Sequence, residues 1–149
     1  VALPEVVAAV FFTFENIANA KKINLSTNIP PNLKVFADPN ALETVIRNLV
    51  DNALKYTPQS GQVSVNAFDT EQGVKLEIMD TGKGMSSEEV QNIFLLKKEK
   101  SQKGLAGEEG TGLGMHLVNE LVKLNKGTIK VFSKLGKGTQ YDLFFPKGS

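Results

Sequence analysis

Asp38-Pro39 at one end and Tyr56-Thr57-Pro58 at the other bracket the stretch that most restricts how this 149-residue chain folds. Aspartate is a strong N-cap and proline suits the first helical position, so a helix begins there. Pro58 bars the residue before it from helical geometry and stops the helix near Tyr56. Between them Leu42, Val45, Ile46, Leu49, Val50 and Ala53 recur at helical spacing as one buried stripe. The period then changes. Gln62 to Phe68 alternates, with Val63, Val65 and Ala67 on one face, and so does Val74 to Met79, with Val74, Leu76 and Ile78. A chain that switches period in this way lays a helix on a sheet.

The rest of the sequence supplies more of both layers. Pro4 to Lys22 reads as a helix with Val6, Val7, Val10, Phe11, Phe14, Ile17 and Ala18 at helical spacing, and Ile23 to Ile29 as a short strand before Pro30-Pro31. Five polar residues, Asp69 to Gly73, read as the loop of the central hairpin. Ser86 or Ser87 caps a short helix ending near Phe94. A further helix runs from about Thr111 to Asn125, and a last hairpin joins Thr128–Phe132 to Thr139–Phe145. These elements imply a two-layer α/β (α+β) sandwich in one domain, residues 1–149, with a mixed, largely antiparallel sheet covered by helices on one face.

Composition narrows the function by exclusion. Net charge is +1 with 22% charged residues, so no broad basic field points to nucleic acid. Cysteine is absent, which excludes disulfides and thiolate metal sites and fits a cytoplasmic protein. The apolar run Val6 to Phe12 is far shorter than the about 20 residues a bilayer span requires. A chain that opens on valine reads as a domain of a longer protein, one that itself makes no direct membrane contact.

Three short motifs carry chemistry. On the second helix Asn48, Asn52 and Lys55 stand at i, i+4 and i+7 and share a face away from the apolar stripe. A carboxamide oxygen is a hard, neutral ligand suited to Mg²⁺, which arrives with phosphates, and a lysine one turn on is a point charge for phosphate. Asp51 and Lys55 equally form an i, i+4 pair of the stabilising orientation, as do Glu43 and Arg47, the pattern of a solvated helix face. Asp80 ends a strand and leads into Thr81-Gly82-Lys83-Gly84. Its carboxylate suits an exocyclic amine such as that of adenine, although Asp and Gly also make ordinary turns. Gly110-Thr111-Gly112-Leu113-Gly114 opens into a helix and offers free N–H groups to an anion. It is neither a dinucleotide fingerprint nor a Walker loop, because the glycine spacing and the following residues differ. His116, the only histidine, has no partner for a triad or a metal site.

In this order the motifs resemble the ATP-binding catalytic domain of bacterial sensor histidine kinases, in the superfamily that also contains gyrase-type ATPases. Asn48 to Pro58 resembles its N box, Asp80 to Gly84 its first glycine box, Phe94 its phenylalanine box, and Gly110 to Gly114 its second glycine box. Gly138-Thr139 with Tyr141, Leu143 and Pro146 is similar to its closing strand. The resemblance implies a Bergerat-type fold, ATP and Mg²⁺ as cofactors, and a protein histidine kinase that is incomplete without its acceptor domain. Asn52 would ligate Mg²⁺; Asn48 and Lys55 would contact the phosphates or the metal shell; Tyr56 would pack near the nucleoside. Asp80, with Gly82 and Gly84 and helped by Thr139, would hold adenine. The backbone from Gly110 through Thr111, Gly112, Leu113 and Gly114 to Met115 would hold the phosphates.

Residues 95–110 would form the ATP lid. Where the family continues its phenylalanine box with aromatic and arginine residues, this chain reads Leu-Leu-Lys-Lys-Glu-Lys, so a γ-phosphate contact passes to Lys97, Lys98 or Lys103. The hydrolysing relatives carry a glutamate four residues before the metal asparagine, as general base for water. Asn48 stands there instead, and a carboxamide takes no proton at neutral pH. The implied partners are a histidine-bearing dimerisation domain of the same parent protein and a response regulator downstream. An anti-sigma serine kinase of the same fold and a nucleotide-sensing module without transfer activity are the alternative readings.

Overall fold

The structure, a computed structural model, describes residues 1–94 and 114–148. Its elements in chain order are α1 (Leu3–Ala20), β1 (Asn24–Asn28), α2 (Pro39–Tyr56), β2 (Gln62–Thr70), β3 (Gly73–Asp80), α3 (Ser87–Asn92), α4 (Gly114–Leu124), β4 (Thr128–Lys134) and β5 (Gly138–Phe145). One five-stranded sheet has the order β1-β2-β3-β5-β4. β1 pairs parallel with β2 and every other neighbour is antiparallel, so the sheet is mixed and largely antiparallel, as the strand patterns imply.

Helix boundaries follow local chemistry. The Asp38 carboxylate accepts from the Ala41 N–H at 2.8 Å and Pro39 follows it, so α2 starts as expected. Thr57 is extended ahead of Pro58, which ends α2 at Tyr56. Ser86 caps α3 through a reciprocal capping box with Glu89. In α1 the buried residues are Leu3, Val7, Val10, Phe14 and Ala18. Val6 and Phe11 are partly buried beside them, whereas Ile17 is exposed, because it lies at the edge of the stripe.

The central hairpin differs from its sequence reading. The β2–β3 ladder continues through Asp69↔Val74 and Thr70↔Gly73, leaving only Glu71 and Gln72 as the turn. A ladder is made of backbone groups, so polar side chains on an exposed hairpin do not end it. Gly73, at φ +146°, takes a backbone conformation that side-chain-bearing residues rarely adopt.

The core lies between the helices and one face of the sheet. Val63, Val65, Leu76, Ile78, Tyr141, Leu143 and Phe145 meet Leu42, Ile46, Leu49, Val50, Val118 and Val122, all buried in one cluster. The other face is mixed: Lys75 bridges Glu77 at 3.1 Å and Asp142 at 3.9 Å, while Phe68, Met79 and Phe132 are exposed on it. Lys21 Nζ donates to the Leu54 carbonyl at 2.6 Å, tying the end of α1 to the last turn of α2. Among the described residues no helix is long and apolar enough to cross a membrane.

Candidate nucleotide site

The last two turns of α2, the end of β3 and the start of β5 converge on one corner of the molecule. The Asn48 Nδ2 donates to the Thr44 carbonyl at 2.7 Å, a bond back to its own helix. Its Oδ1 faces the first residue of α4, where a Cβ added to Gly114 would come within 3.1 Å. A full turn on, the Asn52 Nδ2 donates to the Tyr141 hydroxyl at 3.3 Å, so the carbonyl oxygen is the atom this carboxamide could offer a cation. Tyr141 is buried, and burial pushes its hydroxyl well above the usual range, so it stays protonated. Lys55 turns back to Asp51 at 3.3 Å. The helix-surface pair therefore forms, and a phosphate would have to share this lysine with Asp51.

The first glycine box wraps around Asp80. Gly82 N–H donates to Asp80 Oδ1 at 2.8 Å, and Lys83 N–H donates to the Tyr56 carbonyl at 3.1 Å, stitching the turn to the end of α2. A Cβ at Gly82 would lie 2.5 Å from the Tyr56 oxygen and 2.8 Å from Asp80 Oδ1. Gly84, at φ +72°, would drive a Cβ into the Lys134 carbonyl. Both glycines are thus required by the protein's own backbone contacts, whatever ligand lies beyond. Lys83 Nζ stands 4.8 Å from the centre of the Tyr56 ring, a cation–π contact. Burial raises the Asp80 carboxyl to about 6, and backbone N–H bonds from Gly82 and Thr139 hold it from rising further.

Asp80 and Thr139 are directly paired across β3 and β5, and Ser133 is paired with Thr139 from β4. The Ser133 hydroxyl donates to the Gly138 carbonyl at 2.9 Å, accepts from the Met85 N–H at 2.8 Å and contacts Thr139 Oγ1 at 2.8 Å. Met115, on the first turn of α4, is partly buried against the core. His116 Nδ1 is 3.1 Å from the Phe94 carbonyl and its Nε2 is 4.0 Å from Glu120, so the histidine is partnered as a surface residue is.

The structure therefore brings together Asn48, Asn52, Tyr56, Asp80, Gly82, Gly84, Gly114 and Thr139, and places Lys55 at the margin with Asp51. Lys98, Gly110, Thr111, Gly112, Leu113 and the proposed lid, residues 95–110, lie outside the described residues. Two residues given no role from sequence join the site. Tyr141 was legible in principle, since alternation puts it on the same face as Thr139. Ser133 was not, because its partners come from two other segments.

Among the described residues no group of three His, Asp or Glu side chains could hold a metal. A carboxamide oxygen such as that of Asn52 still fits Mg²⁺, which keeps most of its waters and takes few protein ligands. Residues 37–149 match the family described as histidine kinase-, DNA gyrase B-, and HSP90-like ATPase. The chain belongs to that family. The adaptive-response sensory kinase SasA of Synechococcus sp. (strain CC9311) is 36% identical over 146 residues, covering 97% of this chain and 38% of that protein. The histidine protein kinase DivJ of Caulobacter vibrioides is 38% identical over 127 residues, covering 83% of this chain and 21% of its own length.

The catalytic domain of the histidine kinase ThkA superposes with a TM-score of 0.84 at 24% identity, over 98% of this chain and 95% of that one. Full-length ShkA in complex with AMPPNP matches with a TM-score of 0.83 at 24% identity, over 100% of this chain and 31% of that one. The chain corresponds to the ATP-binding catalytic domain of sensor histidine kinases, with the mixed-sheet α+β fold expected of it. It spans 38% or less of the curated relatives named above.

Proposed function

We propose that this domain holds Mg-ATP with its γ-phosphoryl group exposed for transfer to a histidine on a separate dimerisation domain of its parent protein, in the cytoplasm, with a response regulator receiving the phosphoryl group afterwards. Asn48 carries this reading. Its Nδ2 is committed to the Thr44 carbonyl at 2.7 Å and its Oδ1 faces the start of α4, so no group at this position can deprotonate water. Without a base for water the site favours aligning ATP for another nucleophile.

Asn52 Oδ1 is the protein ligand for Mg²⁺, and Asn48 and Lys55 face the phosphates. Asp80 accepts from the adenine amine beside Thr139, with Gly82 and Gly84 shaping the turn and Tyr56 flanking the nucleoside. Bound Mg²⁺ supplies charge neutralisation of the phosphate chain. The Gly110–Met115 backbone and one lid lysine, Lys97, Lys98 or Lys103, would complete the phosphate side. A full-length kinase of this fold is known with AMPPNP bound, and ThkA is known in complex with the response regulator TrrA, which supports both the nucleotide and the downstream partner.

The test is calorimetric titration with a non-hydrolysable ATP analogue, with and without Mg²⁺, on the wild type, Asn52→Ala and Asp80→Asn. Binding strengthened by Mg²⁺ in the wild type, with the Mg²⁺ effect lost in Asn52→Ala and binding itself lost in Asp80→Asn, is the expected pattern. Equal Mg²⁺ dependence in Asn52→Ala would remove that residue from the metal site. Steady ATP turnover by this chain alone would overturn the transferase reading in favour of hydrolysis.

A further inference from the structure

Thr139 lies between Asp80 and Ser133 in one cross-strand row on the helix-covered face of the sheet. Three polar groups converge on the Ser133 hydroxyl, each within 2.9 Å: the Met85 N–H, the Gly138 carbonyl and the Thr139 hydroxyl. A backbone N–H only donates and a carbonyl only accepts, while a serine hydroxyl has one proton. That proton goes to Gly138. The third contact is then satisfied only when Thr139 donates to Ser133. With its one proton spent, Thr139 has lone pairs alone to offer a ligand.

We propose that Ser133 is a positioning residue for base selection, turning the Thr139 hydroxyl into an obligate acceptor so that the site prefers a 6-amino purine over a 6-oxo purine. The inference rests on the reading of Asp80 and Thr139 as the base end of the nucleotide site. An ionised Asp80 and a lone-pair-only Thr139 offer two acceptors, and an exocyclic amino group has two protons to give. A 6-oxo group only accepts, so it would set acceptor against acceptor in a half-buried site and leave both unpaired. The polarity of Thr139 is decided neither by threonine nor by its strand, since a hydroxyl with an open neighbour can turn either way.

The experiment compares the affinities of Mg-ATP and Mg-ITP by calorimetry for wild type, Ser133→Ala, Thr139→Val and Asp80→Asn, after thermal melts establish that each variant is folded. In Ser133→Ala the Thr139 proton is released and can turn to a 6-oxo group, so the ATP-over-ITP preference narrows by roughly fivefold, the worth of one neutral hydrogen bond. Thr139→Val, which keeps the side-chain shape, narrows it similarly through weaker ATP binding. A general loss of structure would weaken both nucleotides together and leave their ratio alone, so an unchanged or widened ratio in Ser133→Ala overturns the inference. Unaltered ATP affinity in Asp80→Asn would overturn the base-site reading itself, and this inference with it. A lost preference in Asp80→Asn beside an unchanged one in Ser133→Ala overturns the role of Ser133 alone.

Discussion

Burial raises the Asp80 carboxyl from 3.8 to about 6, so near pH 7 the chain holds a poorly solvated charge whose hydrogen bonds come from the backbone N–H groups of Gly82 and Thr139. The sign of the pH effect follows. Between pH 3.8 and about 6 the folded state keeps a proton that the unfolded chain has released, so stability falls as pH rises through that window and levels off above it. Asparagine keeps the acceptor for Gly82 without the charge. Asp80→Asn is therefore expected to be more stable than wild type above pH 6, by about 3 kcal/mol, with the gap closing toward pH 4. Thermal melts over this range check it, and a gap that stays constant with pH would remove Asp80 as its source. The same variant loses nucleotide affinity, a stability–function trade at one carboxylate. Tyr141→Phe addresses the proposed metal end. Phenylalanine fills the buried space but cannot accept from Asn52, so the carboxamide is freed to rotate. The expected result is a folded domain whose affinity for the Mg-nucleotide falls by about fivefold while its affinity for metal-free nucleotide is unchanged. Equal losses with and without Mg²⁺ would show that Tyr141 does not act through Asn52.

At the scale of elements, α2 is both the main core helix and the carrier of the site, and its ends are held by different means. Asp38 caps its start, and the Asp38 N–H in turn donates to Asn125 Oδ1 at 2.8 Å, past the end of α4. Asp38→Ala is expected to destabilise the domain by about 1 kcal/mol, the usual worth of such a cap, without touching nucleotide affinity in the folded protein. Chemical denaturation measures the first quantity and calorimetry the second. The far end of α2 is fixed by Lys21 and by the first glycine turn, which reaches the Tyr56 carbonyl. Gly82→Ala puts a methyl group against that backbone carbonyl, which cannot retreat without moving α2, and crowds the Asp80 carboxylate. It should lower stability and nucleotide affinity together. Wild-type affinity in a folded Gly82→Ala protein would mean the turn is not part of the site.

For the molecule as a whole, one helix-covered sheet face holds the core and, at its β3–β5 end, the proposed nucleotide site. His116 bonds locally to Phe94 and lies near Glu120, outside the Asn52–Tyr141–Asp80 corner. The chain alone, incubated with γ-labelled ATP, is expected to incorporate no acid-labile phosphate. Label recovered on His116 would contradict a domain that delivers its phosphoryl group to another.

Local chemistry made much of this protein legible from residues alone. Asp38-Pro39 and Pro58 delimit α2, and alternation marks β2, β3 and β5, because caps, prolines and side-chain periods act over a few residues. The candidate residues Asn48, Asn52, Asp80 and Thr139 were singled out by resemblance and spacing. Which atom of each faces what could not be read so. The commitment of Asn48 to its own helix, the pairing of Lys55 with Asp51, the hold of Tyr141 on Asn52 and the saturation of Ser133 arise where separate segments meet. Hydrogen-bond polarity and burial depend on that meeting, since a donor, a lone pair or a charge takes its meaning from whichever neighbour the fold sets beside it.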